Sequence, residues 1–93
     1  MNLQKQLEQE ELRININKHR LQYNIDRKGW VTYKNGKRKK KLRTYVSDLA
    51  SMLSGLNNKH YSENRNLLIE YYNKDGIQGI NRAAKVAVQE SAK

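Results

Sequence analysis

The sequence predicts an α+β fold: a short N-terminal helix, antiparallel β-hairpins of about four strands over residues 12–43, then two or three C-terminal helices. Three observations predict it. Residues 12–26 alternate apolar and polar side chains, the signature of half-buried strands. Asn35-Gly36 separates an aromatic and β-branched run from a strongly basic one. Beyond residue 44 the apolar spacing lengthens to that of a helix.

The elements follow in order. Leu3 and Leu7 share one face of a helix over residues 2–11, with Glu8, Glu10 and Glu11 on other faces. In "LRININ", Leu12, Ile14 and Ile16 point one way; in "LQYNID", Leu21, Tyr23 and Ile25 match them. "NKHR" is the turn between them, so residues 12–26 read as a first hairpin. A single helix over residues 2–20 is the competing reading, and it would place Ile14 and Ile16 on nearly opposite sides.

"DRKG" supplies the next turn and "WVTY" the next strand. Asn-Gly is a strong two-residue hairpin signal because both residues tolerate positive φ. With Asn35 and Gly36 as the loop, Lys34 faces Lys37, Tyr33 faces Arg38, Thr32 faces Lys39, Val31 faces Lys40 and Trp30 faces Lys41. Directly opposed residues share a face. One face then carries Trp30, Thr32, Lys39 and Lys41, and the other Val31, Tyr33, Arg38 and Lys40. The basic run is thus the return strand of a projecting hairpin, anchored at its base by Val31, Leu42 and one aromatic.

Tyr45, Leu49, Met52, Leu53 and Leu56 form the apolar stripe of the following helix, with Thr44 or Ser47 as its N-cap. Ser62 is the N-cap expected for the next, lined by Leu67, Leu68, Tyr71 and Tyr72. Asp75-Gly76 breaks it, and a last helix over about 78–91 turns Ile77, Ile80, Ala84, Ala87 and Val88 inward. A chain of 93 residues predicts one small domain, 1–93, made of a basic β-hairpin region, 12–43, and a helical region, 44–91.

Composition excludes several function classes. Without cysteine there is no disulfide framework and no zinc knuckle. His19 and His60 are isolated and expected at the surface or in turns. No metal or other cofactor is expected. No apolar run approaches the ~20 residues that cross a bilayer, and "MNLQKQLEQEEL" is too polar for a secretory signal. A soluble protein of the cytoplasm, without a membrane partner, is expected. The acids form no close pair, and no G-x-S-x-G, P-loop or H-E-x-x-H occurs, so the chain does not read as an enzyme.

The net charge of +10 is unevenly placed. Residues 13–43 hold twelve Lys or Arg and one acid, Asp26, whereas the other 62 residues hold seven bases and eight acids. Clustering of this kind is the footprint of a polyanionic partner. A nucleic-acid-binding protein is expected, for DNA or RNA. Arg27, Lys28, Lys34, Lys37, Arg38, Lys39, Lys40, Lys41 and Arg43 are the expected phosphate contacts. Trp30 or Tyr33 is the expected stacking or wedging group, although packing beneath the sheet is the commoner place for an indole such as Trp30.

The alternative is an inhibitor or adaptor of the phage type, as anti-CRISPR and host-takeover proteins are, directed at a host protein or ribonucleoprotein complex. A ribosome-associated protein would carry the same charge. A homodimer through the helices is a further expectation. The abundance of Lys, Asn, Ile and Tyr suggests an AT-rich coding source and suits an accessory gene of a phage or mobile element. "YYNKDGIQGINRAAKVAV" has a faint helix-turn-helix look, but a plain helical hairpin is the better expectation.

Overall fold

The structure, a computed structural model, describes residues 3–25, 30–34, 36 and 39–91. The described residues form four helices, α1 (Leu3–Gln22), α2 (Leu42–Asn57), α3 (Tyr61–Asp75) and α4 (Ile77–Ser91). Between α1 and α2 lies a small antiparallel sheet. Its hairpin pairs β2 (Trp30–Tyr33) with β3 (Lys39–Lys41), and β1 (Tyr23–Ile25) extends it on the other edge of β2.

This corrects the expected α+β layout. Residues 12–22 are not a strand and turn but the second half of one 20-residue helix. No Gly or Pro interrupts residues 3–25, and Gln, Glu, Leu, Lys and Arg dominate, all good helix formers. The period-2 pattern misleads because a helix can satisfy half of it. Leu12 and Ile16, four apart, share the inward face with His19, while Ile14 faces solvent at 46% exposure. About four strands over 12–43 are replaced by three short ones between Tyr23 and Lys41.

The hairpin register is the one an Asn35-Gly36 loop dictates. Trp30 pairs with Lys41, Val31 with Lys40 and Thr32 with Lys39. Gly36 has φ +78°, which glycine adopts without steric penalty, and its N–H donates to the Tyr33 carbonyl at 2.8 Å. β1 adds Tyr23 opposite Tyr33, Asn24 opposite Thr32 and Ile25 opposite Val31. Asp26, Asn35 and the "DRKG" turn lie outside the described residues.

The core runs along α2. Tyr45, Leu49 and Ala50 are fully buried, and Ile16 of α1, Val31 of β2, Leu68 of α3 and Ile80 and Ala84 of α4 join them. Burial of these side chains supplies most of the driving force, at about 1.5–3 kcal/mol for each large one. His19, expected at the surface, is buried instead, its ring stacked on Tyr45 with centroids 4.6 Å apart. Two glycines allow close helix contact. A Cβ on Gly55 would meet Leu12 of α1, and one on Gly79 would meet the Tyr71 backbone of α3.

The helix ends also differ from expectation. α2 begins directly after β3, with Lys41 as N-cap, so Thr44 and Ser47 lie inside the helix. α3 is capped by His60, whose Nδ1 accepts the Ser62 N–H at 3.2 Å. Asn58, at φ 60°, closes α2, and Gly76, at φ 67°, closes α3 and leads straight into α4.

Candidate nucleic-acid interface

The sheet has two faces of different character. Val31 is fully buried, which assigns the inward face, and Tyr33 and Lys40 share that face by register. The outward face carries Asn24, Trp30, Thr32 and Lys41, with Lys39 at the register position opposite Thr32. Trp30 is 40% exposed, and Asn24 and Lys41 are exposed beside it.

The expected site residues therefore separate. Trp30 and Lys41 are paired neighbours on the outer face. Lys34, in the turn, and Arg43, in the first turn of α2, are exposed. Tyr33 lies on the inward face, half-buried and packed against the core, on the opposite side of the sheet from Trp30. Lys40 lies on the inward face. It turns towards α2, where Nζ meets the Asp48 carboxylate at 3.0 Å. Arg27, Lys28, Lys37 and Arg38 lie outside the described residues.

Lys40 and Asp48 line a shallow depression of about 540 Å³ together with His19. Burial holds the His19 imidazole below its ordinary pKa of 6.5, and Lys40 pushes the same way. Asp48 and a hydrogen bond with the Tyr45 backbone act in the opposite direction. This cluster belongs to the seam between α1, β3 and α2, not to the outer face.

The start of α2 adds to the electropositive character. The Lys41 side chain at the N-cap makes no capping hydrogen bond, and no acid lies in the first turn. The helix N-terminus thus presents partial positive charge between Lys41 and Arg43. Among the described residues the ion pairs are Arg13–Glu10, Lys40–Asp48 and Arg82–Asp75, and none uses Lys34, Lys41 or Arg43.

Sequence reading found the cations and the indole. It missed the inward turn of Lys40, which one signal could have suggested: Lys40 sits opposite Val31, the most apolar position of β2. No helix among the described residues is long and apolar enough to cross a membrane. No protein-family model, curated protein or solved structure matches the chain.

Proposed function

We propose that the protein is a non-enzymatic nucleic-acid-binding protein of an accessory or regulatory kind. The single observation that carries this reading is the solvent-facing Trp30 paired across the hairpin with exposed Lys41, within the stretch that holds the whole charge excess. Lys41 and Arg43 would neutralise phosphates, with release of counterions. The uncapped start of α2 favours the same negative charge. The indole offers a face on which a base can stack, at about 1–3 kcal/mol.

Trp30 is the chain's one tryptophan, so its emission reports on the site directly. Titration with 20-nucleotide DNA and RNA across a salt series should quench that emission and show affinity falling steeply with salt. Lys41→Ala and Arg43→Ala should each lower the log–log salt slope by about 1. Trp30→Ala should weaken binding about fivefold or more, at an unchanged slope. Salt-independent binding, or variants that bind like wild type, would remove the proposal.

A second reading is favoured by α1. Leu3, Leu7 and Ile14 fall on one side of it, away from Leu12 and Ile16, and are 68%, 63% and 46% exposed. Such an apolar stripe suits a protein partner, as an inhibitor or adaptor would have. Pull-down from lysate with and without nuclease separates the two, since a partner retained after nuclease supports this second reading.

A further inference from the structure

A half-open cleft of about 300 Å³ lies between α2 and α3, next in sequence to the basic strand. Its walls are apolar, from Leu42, Val46 and Ile69. Tyr72 supplies an aromatic ring, and the exposed Asn73 an amide that both donates and accepts. Arg43 and Arg65 also line it, and no acid does. Neither arginine takes part in an ion pair among the described residues.

We propose that this cleft holds one unpaired nucleobase of the strand whose phosphates Lys41 and Arg43 grip; the inference rests on the nucleic-acid reading above. The volume lies at the lower end of the ~300–1,000 Å³ range of small-molecule sites, which suits one base and not a larger ligand. A base is flat and apolar on its faces and polar at its edge. The Ile69 and Tyr72 side chains match the first property and the Asn73 amide the second. The two guanidiniums complement the phosphates that flank any base in a strand. Arg43 follows Lys41 by two residues and lines the cleft, so the basic strand leads in sequence directly to the cleft's rim.

A base stacked and paired in a duplex cannot enter such a cleft without extrusion. The protein should therefore prefer single strands. The test is anisotropy with labelled 20-nucleotide thymine DNA, uracil RNA and a mixed-sequence DNA duplex at one salt concentration. Wild type should bind the single strands about fivefold or more tightly than the duplex. Ile69→Trp fills the cleft and Tyr72→Leu removes the ring while keeping apolar bulk. Both should lower that ratio about threefold or more, towards what Trp30 stacking alone supplies, and leave duplex affinity unchanged, with thermal melting confirming that each variant folds. Asn73→Ala, at an exposed position, should lower the ratio should either of those fail to fold.

DNA and RNA arms of equal strength support a site that reads the base alone, and a stronger RNA arm one that also senses the 2′-hydroxyl. A ratio near one in wild type, or one that survives all three substitutions, overturns the cleft. If Lys41→Ala still weakens binding in that case, the nucleic-acid reading stands alone. Absence of binding to every probe overturns both.

Discussion

Lys40 Nζ lies 3.0 Å from the Asp48 carboxylate, so two adjacent lysines of one strand serve different ends. Lys40 stands opposite buried Val31 and closes onto α2, whereas Lys41 stands opposite exposed Trp30. The two side chains of the pair retain 25% and 44% exposure, so solvent screens it and its contribution is small, about 0.2–1 kcal/mol. Lys40→Ala should lower stability by that amount in urea unfolding and leave the salt slope of nucleic-acid binding unchanged. Lys41→Ala should do the reverse. Equal effects of both substitutions on the slope would show that the faces of the sheet do not divide the lysines in this way.

The hairpin was readable because turn chemistry is local. The register that an Asn35-Gly36 loop predicts is the one seen between Trp30–Thr32 and Lys39–Lys41, and it places Lys41 beside Trp30. The first 22 residues were not readable in the same way. Leu12, Ile14 and Ile16 fit a strand, but the helix formers around them favour a helix, and packing agrees: Gly55 of α2 receives Leu12, and Tyr45 receives His19. Helix propensity and tertiary contact together outweigh the period-2 pattern. The cleft was illegible for a related reason. Arg65 and Tyr72 come from α3, some twenty to thirty residues past the basic run, and reach Arg43 only because α2 and α3 pack together.

His19 should make the fold sensitive to mild acid. Its pKa is lowered in the fold, chiefly by burial and then by Lys40, and raised in part by Asp48. Above 6.5 the imidazole is neutral in both folded and unfolded chains, and its stabilising stack on Tyr45 is complete. As pH falls through 6.5 the unfolded chain takes up a proton that the folded one resists, so stability declines until the folded value is passed. Melting temperature at constant ionic strength should drop between pH 7.5 and 5.5. The measurement belongs in a His60→Asn background, which keeps a capping side chain on α3 and removes the other imidazole. His19→Phe should flatten the profile there, because it keeps a stacked ring without a titrating group. A His19→Phe profile as steep as its parent's would assign the acid sensitivity elsewhere.

Asn64 joins α3 to the end of α2. It is 1% exposed; its Oδ1 accepts from Asn57 Nδ2 at 2.9 Å, and its own Nδ2 donates to Ser54 Oγ at 2.9 Å and Asn57 Oδ1 at 3.2 Å. Removing a partner from a buried amide costs about 1–3 kcal/mol. Asn64→Ala and Asn57→Ala should each destabilise within that range in denaturant unfolding. The double variant should cost clearly less than the two together, because the second change removes a group already without its partner. Strict additivity would mean that the amide pair contributes nothing as a pair.

Gly79 and Gly55 look alike in sequence, each a glycine inside a helix, but they should respond oppositely to alanine. A Cβ at Gly79 would press on the Tyr71 carbonyl oxygen and, at 2.9 Å, on its carbon, so α4 could take it only by moving away from α3. That displacement opens the packing around Ile80 and Ala84, both fully buried. Overpacking of this kind costs about 1–3 kcal/mol. At Gly55 the new methyl would meet only the tip of Leu12, Cδ2 at 2.6 Å, which can rotate aside. Alanine also gains about 1 kcal/mol of helix propensity over glycine. Gly55→Ala should therefore be near neutral and Gly79→Ala clearly destabilising in urea or guanidinium unfolding. If the order were reversed, α3 and α4 would not meet as closely at Gly79 as this packing requires.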